Sequence, residues 1–401
     1  MTDTDSPLPT RPARGTRPTN RRALVVSAAA ELFARDGYAN VGVGQVADAV
    51  AVGPSALYRH FRNKQDLLHA VVADALVTFE TLLAELREHP DDAMSALAAA
   101  VLAQRRMGVL WRRESRHLDG AARRELRERL RAVGAKLAEL VRARRPALDP
   151  RRADMLAWST LAVATSISFH RLRLPGDRFH QLLTEMMTAV SDAEIPALGR
   201  ARVGAADPAD RWYPSRRAAI LDQAGRLFDR YGFAGVGIED IGAAVGIAGP
   251  SVYNHFASKA EILVDLFARA NLILQADLQR DLARATSAAD ALHRLIGSYT
   301  AYSLENPALI RLLITSEADQ LGPEESHRMR GTQHEYVSEW VGLLRGHHPQ
   351  MDPTEARIRV HAALGAVNDI AATPHLRASA GIDAAARIVC GALLRIDPPR
   401  T

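Results

Sequence analysis

The sequence predicts an all-α protein built from two tandem copies of one module. Apolar residues recur at helical spacing along most of the 401 residues, and no segment shows the sustained alternation of a strand. Residues 21–68 also align without a gap to residues 216–263, at an offset of 195. A period of that length is the size of a domain and is far longer than a solenoid repeat, so we interpret the chain as a fused duplication.

The first copy opens with three short helices and a longer fourth. Ala28, Leu32 and Phe33 form the apolar stripe of the first helix, which Gly37 is expected to end as a left-handed cap. The second helix is predicted at 45–50 and the third at 54–61, and Lys64 begins the fourth. Helix breaks are expected at Pro90, Gly120, Pro146/Pro150 and Pro175, and then near Thr286, Pro307, Pro323, Pro349/Pro353 and Pro374.

These breaks predict six segments. They are a disordered basic tail at 1–18, a three-helix domain at 19–63, a helical domain at 64–193, a linker at 194–213, a second three-helix domain at 214–258 and a second helical domain at 259–397.

Composition narrows the class of protein. Hydrophobic residues make up 47% and charged residues 24%, which is ordinary for a soluble globular protein, and the net charge of +5 permits a nucleic-acid partner. The single cysteine, Cys390, excludes a disulfide framework and is expected to be buried. His347 and His348 form the only close histidine pair, without a framing carboxylate, so neither a metal nor a cofactor is predicted.

Targeting and catalytic signals are also missing from the sequence. No apolar run precedes Ala23 and none reaches about 18 residues, so we expect a cytoplasmic protein without a secretory signal or a membrane partner. No nucleophile elbow, phosphate loop or zinc-protease motif occurs, and an enzyme is not predicted.

The second and third helices of each copy form a helix-turn-helix, with Ala51 or Gly246 in the turn. In such a motif the second helix can enter a major groove while the first crosses the backbone. The predicted DNA contacts are Gly53, Pro54, Ser55, Ala56, Tyr58, Arg59, His60 and Lys64 in the first copy, and Pro250, Ser251, Tyr253, Asn254, His255 and Lys259 in the second.

Both segments resemble the DNA-binding domain of the TetR family of transcriptional regulators. The matching residues are Phe33, Gly37, Tyr38, Leu57, Tyr58, His60, Phe61 and Lys64, and again Phe228, Gly232, Phe233, Val252, Tyr253, His255, Phe256 and Lys259. The resemblance implies a three-helix DNA reader followed by a helical ligand and dimerisation domain in each half. The tandem arrangement and the run at 109–118 further resemble tandem members of the family that repress mycobacterial mammalian-cell-entry operons, which are tied to lipid or sterol import.

The sequence departs from the family pattern in three places. Gly42 and Gly237 stand where the family caps its second helix with Thr or Ser, and glycine is the weaker cap. Ala51 replaces the usual turn glycine, at a cost of about 1 kcal/mol if that residue needs a positive φ. The Gly-Pro-Ser triplet is also shifted by one place between the copies.

Several of these residues have a second interpretation. Tyr58 and Tyr253 either contact phosphate or pack as amphipathic side chains, and His60 and His255 either contact phosphate or cap structure. The basic residues Arg11, Arg14, Arg17, Arg21 and Arg22 form either a solvated run or an arm in a minor groove.

The helical domains are expected to bind an apolar effector, because the resemblance implies a ligand receptor. Candidate pocket residues are Phe79, Leu110, Trp111, Glu114, His117, Phe267, Tyr336 and Trp340, with Arg116 also near the mouth. Ordinary bundle core is the alternative for the apolar members.

We therefore expect a one-component regulator that represses genes of lipid or sterol uptake or metabolism. An acyl-like or sterol-like effector, with a coenzyme A thioester as one candidate, is expected to release it from DNA. Because the two readers differ in sequence, the expected operator is asymmetric double-stranded DNA, read by a single-chain pseudo-dimer. The alternatives are a helical protein that senses or sequesters a lipid without specific DNA binding, and an all-α enzyme.

Overall fold

A computed structural model describes residues 21–200, 213–314 and 322–397. The predicted tail at 1–18 and most of the predicted linker lie outside the described residues. Within these residues every regular element is a helix, apart from an isolated bridge between Gly199 and Ala380, which confirms the all-α fold.

The first half contains nine helices in its described part. They are α1 (Arg21–Asp36), α2 (Val43–Ala49), α3 (Pro54–Tyr58), α4 (Lys64–Glu85), α5 (Ala93–Ala103), α6 (Met107–Arg112), α7 (Gly120–Arg144), α8 (Pro150–Ser166) and α9 (Gly176–Ser191). Short 3-10 turns cover Tyr38–Asn40, Pro90–Asp92, Glu114–His117 and Ile167–Phe169.

The second half repeats this order. Its described helices are α10 (Arg216–Tyr231), α11 (Ile238–Ala244), α12 (Gly249–Val252), α13 (Lys259–Arg284), α14 (Ala288–Glu305), α15 (Pro307–Ile314), α16 (Pro323–His347), α17 (Pro353–Ala372), α18 (Pro374–Arg377) and α19 (Ile382–Leu394).

The predicted helix breaks are confirmed wherever proline begins a new helix, as at Pro150, Pro307, Pro323, Pro353 and Pro374. Proline suits a first turn because its missing N–H has no intrahelical partner there. The predicted bounds of the short helices differ from the observed ones by up to three residues. Helix α2 begins two residues before the predicted 45–50, and α3 ends three residues before the predicted end at 61.

The chain divides into two compact units. The first consists of the described part of Met1–Arg144 with Ile167–Arg171, and the second of Arg145–Ser166 with the described part of Leu172–Thr401. The first unit therefore holds α1–α7, and the second holds α8–α19. The second unit thus combines the last two helices of the first half with the whole second half.

Within the second unit, α8 and α9 pack against α17 and α19. Small buried residues, which permit close approach of the backbones, are frequent on these helices: Ala157, Ser159, Ala162, Ala164 and Ser166 on α8, Ala363 and Ala366 on α17, and Ala385 and Gly391 on α19. A Cβ added to Gly365 would lie 3.9 Å from Cβ of Ser166, which is ordinary contact distance.

The glycines that end the first helix of each copy differ from their prediction. Gly37 has φ 82° and ψ 141°, and Gly232 has φ 75° and ψ 156°. Both φ values are positive, which favours glycine, but the extended ψ values take both residues out of the left-handed helical region. The glycine therefore reverses the chain, and its N–H still bonds Phe33 O or Phe228 O.

Ala51 in the first helix-turn-helix adopts φ 55°, where its equivalent Gly246 has φ 71°. The positive φ required by this turn is thus confirmed, and Ala51 carries the strain of a Cβ in that region.

We expect Ala51→Gly to raise the free energy of unfolding by about 0.5–1 kcal/mol, because the released strain exceeds the extra freedom of glycine in the unfolded chain. Gly246→Ala should lower it by a similar amount. This is a matched control, since no atom lies within 4 Å of a Cβ added to Gly246 and only backbone strain changes. Urea unfolding of both variants tests this, and shifts of the same sign would contradict it.

Helix α4 is, in the described part of the chain, the one helix long and apolar enough to cross a membrane by length and composition. Its apolar residues serve the protein core: Leu67, Leu68, Leu76, Phe79 and Leu83 are each at most 1% exposed. Because helix α4 packs on α1, α5, α6 and α7, its apolar composition is explained by burial.

Candidate nucleic-acid interface

The first helix-turn-helix domain, here called reader 1, consists of α1, α2, α3 and the start of α4. Phe33, Val46, Leu57 and Phe61 come from its different elements and are at most 4% exposed. Because Val46 of α2 and Leu57 of α3 are buried in the same core, the orientation of α3 is determined. The other face of α3 therefore points to solvent.

That outer face carries the predicted contacts. Tyr58 is 53% exposed, and Ser55, Arg59 and His60 are exposed beside it. Gly53 is the exposed N-cap of α3, Pro54 is its first residue, and Ala56 is half-buried. A short helix with Ser, Tyr, Arg and His on one solvent face can donate hydrogen bonds to phosphates and base edges.

The second domain, reader 2, repeats this arrangement with α10, α11, α12 and the start of α13. Val252 and Phe256 are buried, like Leu57 and Phe61 of reader 1, and Tyr253 is 55% exposed. Asn254 and Pro250 are exposed next to it, while Ser251 and His255 are half-buried. Because α12 begins at Gly249, the equivalent of Pro54, the proline of reader 2 is the second residue of its helix. Proline is therefore the first helical residue in reader 1 but not in reader 2.

Glycine N-caps begin the second helix in both readers. Gly42 N donates to Gln45 Oε1 at 2.6 Å, and Gly237 N donates to Asp240 Oδ2 at 2.8 Å. The third residue of each helix thus satisfies the N-cap N–H, which is one half of a capping box. This hydrogen bond compensates in part for the absence of a Ser or Thr cap.

Lys64 and Lys259 open α4 and α13, as predicted, but each ammonium lies against an aromatic ring of its own module. Lys64 Nζ is 4.1 Å from the ring centroid of Tyr38, and Lys259 Nζ is 4.4 Å from that of Phe233. Lys259 Nζ also donates to the carbonyl oxygens of Phe233 and Val236, both at 2.8 Å. These lysines hold the turn between the first and second helices, and a phosphate contact by them stays a prediction.

Arg22 and Arg217 occupy equivalent places and cover the core aromatic residue from outside. Their guanidinium carbons lie 5.3 Å from the Phe61 ring and 4.0 Å from the Phe256 ring. Arg217 also donates to the carbonyl of His255, which follows α12. Helices α3 and α12, the second helices of the two helix-turn-helix motifs, are here called the recognition helices. Arg22 was assigned to a basic tail, although its alignment with Arg217 was the available signal for this packing.

Glu114 joins reader 1 to the helices that follow it. This carboxylate is 1% exposed, and its Oε2 accepts from Tyr38 N at 2.9 Å. Its Oε1 accepts from Arg113 Nε at 2.5 Å, and Arg113 Nη2 donates to Ala34 O at 3.3 Å. The Tyr38 ring stacks on His117 with centroids 5.0 Å apart. Glu114 and His117 were predicted at a pocket mouth, and the structure places them against the reader turn instead.

Charged pairs also connect each reader to a helix of its bundle. Arg106, which precedes α6, pairs with Glu31 of α1. In the second half, Arg311 of α15 pairs with Asp229 of α10, with Nε and Oδ1 2.6 Å apart. In both halves an ion pair therefore joins the first helix of the reader to the equivalent bundle helix, but the paired residues stand at different positions of the repeat.

The remaining pocket candidates fall into different places. Leu110 and Trp111 pack with the core of reader 1, and Phe267 packs with the core of reader 2. Tyr336 and Trp340 lie in the second bundle with ring centroids 6.3 Å apart. For the first three residues this placement matches the core interpretation, as it does for Phe79 at 1% exposure.

Two buried tyrosines of the second bundle, Tyr299 and Tyr302, were not among the residues predicted from the sequence. Tyr299 OH donates to Asn368 Oδ1 at 2.9 Å, and the Tyr299 ring lies 6.0 Å from that of Trp340 and 6.2 Å from that of Tyr336. Burial raises the pKa of nearby Tyr302 to about 12, so its phenol stays protonated at neutral pH. The pair of tyrosines three residues apart on one helix was the available signal.

Comparison with known proteins agrees with this architecture. The model of the family described as "Bacterial regulatory proteins, tetR family" matches residues 25–71 and 220–266. The HTH-type transcriptional regulator TcmR of Streptomyces glaucescens is 32% identical over 163 residues, which cover 39% of this chain and 69% of that protein. HbdR of Aromatoleum sp. (strain CIB), also an HTH-type transcriptional regulator, is 32% identical over 105 residues, 24% of this chain and 46% of that protein.

Among solved structures, a TetR-family transcriptional regulator from Bordetella parapertussis 12822 is 19% identical with a TM-score of 0.42, over 45% of this chain and 95% of that one. The two family matches fall on the two readers, and the similarity to TcmR extends over most of that regulator. This chain belongs to the tetR family of helix-turn-helix transcriptional regulators and carries two copies of the family's N-terminal domain.

Proposed function

We propose that this chain is a one-component repressor whose two readers bind two half-sites of a single operator and whose DNA affinity falls when a lipophilic effector binds a helical bundle. The observation that carries the proposal is the presence of two complete readers in one chain, each with a recognition-helix tyrosine more than half exposed. Both recognition helices also present small polar residues to solvent.

The asymmetry of the operator follows from the difference between the two helix-turn-helix segments. Residues 43–63 carry Arg59 and Arg62 against Asp48, whereas residues 238–258 carry Glu239 and Asp240 and neither lysine nor arginine. Arginine pairs with guanine and phosphate, whereas asparagine pairs with adenine. One half-site should therefore be G-rich, and the other should contain a critical adenine opposite Asn254.

Glu239 adds to this difference. The residue is exposed, and its Cα would lie 3.2 Å from a Cβ placed on Gly249, so it sits beside the N-terminal end of α12. A carboxylate there accepts only from base donors and repels phosphate, which favours cytosine N4 or adenine N6 as its partner.

A single chain is proposed to do the work that a dimer does in an ordinary member of the family. The packing of α8 and α9 on α17 and α19 supports this, because it joins equivalent helices of the two halves. Two recognition helices must be about 34 Å apart to enter successive major grooves, and a covalent pair of halves can meet that requirement without a second subunit.

The effector is proposed to be an apolar molecule such as an acyl or sterol-like compound, which the sequence resemblance implies. Tyr299, Tyr336 and Trp340 form a buried aromatic cluster in the second bundle, whose rings would pack against such a ligand. An effector changes DNA affinity only by as much as its own affinity differs between the two states of the protein. In the first half, Glu114 and Arg113 are the groups through which a bundle movement would reach the reader.

The alternative is a helical protein that senses or sequesters a lipid without specific DNA binding. A gel shift with the DNA upstream of the protein's own gene separates the two functions. We expect a discrete complex that survives an excess of unrelated DNA and that weakens on addition of long-chain acyl-coenzyme A or a sterol. Binding of these lipids without a specific DNA complex would favour the alternative.

The binding of Tyr58 and His60 to phosphate can be tested through operator affinity and its dependence on salt. The double variant Tyr58→Ala/His60→Ala should bind the operator more weakly, because two groups facing the backbone are removed. The slope of log affinity against log salt should stay close to that of the wild type, because it becomes shallower by about 0.9 only for each phosphate that loses a cationic partner; fluorescence anisotropy measures both the affinity and the slope.

A matched control for this experiment is Tyr231→Ala, since Tyr231 is 56% exposed at the end of α10 and away from the recognition helix. Its affinity and salt slope should equal those of the wild type. A double variant with unchanged affinity would assign Tyr58 and His60 to the packing interpretation.

A further inference from the structure

Four charged side chains form a closed ring between α9 of the first half and α17 of the second. Arg178 bonds Glu355 at 2.5 Å and Glu185 at 3.0 Å. Arg359 bonds Glu355 at 2.9 Å and Glu185 at 3.1 Å, so positive and negative groups alternate around the ring. Each helix contributes one arginine and one glutamate. Arg178–Glu185 and Glu355–Arg359 pair within their own helices, whereas Arg178–Glu355 and Arg359–Glu185 join the two helices, so the ring closes only when α9 and α17 meet.

The α17 side of this ring is buried. Arg359 is 1% exposed and Glu355 is 6% exposed, and Arg359 Nη1 also donates to Leu393 O at 3.2 Å. Although burial opposes ionisation, the hydrogen bonds from Arg178 and Arg359 hold the pKa of Glu355 below its ordinary value. A buried pair of this kind is strongly destabilised when one of its partners is removed.

The ring occurs on one side only, because the equivalent helices lack its residues. Helices α8 and α17 align at a spacing of 203, with Asp-Pro before both and isoleucine at 167 and 370. In this alignment Arg152 stands at the place of Glu355, and Leu156 at the place of Arg359. Helix α8 therefore carries no carboxylate at this place to receive Arg178.

Helix α19 likewise lacks the residues that α9 contributes. The same spacing superposes the buried faces of the two helices, since it pairs Phe179, Leu182 and Leu183 with Ile382, Ala385 and Ala386. Gly381 then stands at the place of Arg178, and Ile388 at the place of Glu185.

These positions determine which charged side chains would find a partner of opposite charge in each possible pairing of halves. If the second half paired with the second half of another chain, Glu355 and Arg359 would face Gly381 and Ile388, without Arg178 or Glu185. If two first halves paired, Arg178 would face the equivalent of Glu355, which is Arg152, a like charge. Only a first half against a second half completes the ring, and such polar groups are known to select partners by their penalty for wrong pairings.

We propose that the Arg178–Glu355–Arg359–Glu185 ring is a pairing-specificity surface, through which the first half selects the second half and rejects its own twin on another chain. The partner it fits is thus the other half of this sequence. The inference rests on the proposed pairing of the two halves within one chain, and it predicts that a half does not pair with its own twin on another chain.

Charge reversal on each side provides the test, with mass measured by light scattering and thermal unfolding recorded in parallel. One variant carries Arg178→Glu/Glu185→Arg on α9, the second carries Glu355→Arg/Arg359→Glu on α17, and the third combines all four. We expect the wild type at the single-chain mass of 43.6 kDa. Each one-sided variant should stay at the single-chain mass and unfold about 10 °C lower, and the combined variant should recover the wild-type unfolding temperature.

Mixing the two one-sided variants provides the sharpest readout. Reversed α9 of one chain then complements reversed α17 of the other, and the unmodified helices complement each other in the same way. A complex of twice the single-chain mass should form only in the mixture. The exposed pair Glu324 and Arg328, reversed together, is the control and should change neither mass nor unfolding.

The outcomes separate this inference from the function it rests on. One-sided variants that unfold like the wild type, a combined variant without recovery, or a mixture that forms no complex of twice the mass would overturn the ring as a specificity surface. If a one-sided reversal fails to fold, Arg178→Gln/Glu185→Gln on the half-exposed α9 side should still lower the unfolding temperature without adding repulsion. A wild type that is already twice the mass would overturn the single-chain pairing, whereas absence of operator binding would count only against the regulatory function.

Discussion

Arg59→Ala should weaken operator binding by about 5-fold to 150-fold, because it removes a bidentate contact worth about 1–3 kcal/mol. Arg59 is exposed at the C-terminal end of α3, so nothing in reader 1 competes for its guanidinium. Asn254→Ala in reader 2 should cost less, since that helix-turn-helix segment carries two carboxylates and no lysine or arginine. Binding measured on operators with single base substitutions should show reduced discrimination at one guanine for the first variant and at one adenine for the second.

Arg62 offers a control within the same reader. Its Nε is 2.6 Å from Asp66 Oδ2, and that ion pair already uses part of its guanidinium. Arg62→Ala should therefore change affinity less than Arg59→Ala, and equally for all operator sequences. A footprint over a perfect inverted repeat, with equal losses from Arg59→Ala and Asn254→Ala, would contradict the asymmetric operator.

Glu114→Ala should lower the free energy of unfolding of the unit that contains reader 1 by about 3 kcal/mol. The substitution leaves the Tyr38 N–H without its acceptor and the Arg113 guanidinium without its partner carboxylate. It should also reduce operator affinity, because Tyr38 lies in the turn that leads into α2. Urea unfolding and anisotropy with the same preparation measure the two effects.

Glu114→Gln separates charge from hydrogen bonding at this position. Its amide oxygen can still accept from Tyr38 N, so stability should lie between wild type and Glu114→Ala, and Gln should restore most of the operator affinity. Asp36→Asn is the surface control: Asp36 is paired with Arg35 in solvent, and such pairs contribute less than about 1 kcal/mol. A Glu114→Ala protein as stable as wild type would show that the buried carboxylate does not hold the reader turn.

Sequence reasoning predicted the features that depend on neighbouring residues. Proline can open a helix but not continue one, so the starts at Pro150, Pro307, Pro323 and Pro353 could be placed from the chain alone. Leu57 and Phe61 are buried and four residues apart, which is the spacing of one helix face, and Tyr58 on another face is exposed; this is a local pattern that the sequence alone displays. The repeat then predicted the same elements in the second half.

Positions that depend on distant contacts could not be predicted in this way. The packing of Lys64 and Lys259 is one such case: their ammonium groups lie on Tyr38 and Phe233, more than twenty residues away in the chain, and a phosphate contact by them stays a prediction. Glu114 was expected at a pocket mouth and instead bonds the backbone of Tyr38. A side-chain charge shows that a partner is needed, but the fold decides which group reaches it.

The sequence by itself therefore determined the all-α class, the duplication, the two helix-turn-helix segments and the side chains on their outer faces, because periodicity and turn chemistry act over a few residues. The tertiary structure alone decided that α9 meets α17, and that Arg178 and Glu185 complete a ring with Glu355 and Arg359. Such a pairing joins residues more than 170 positions apart. No local pattern encodes it, since each helix by itself shows only an ordinary charged face.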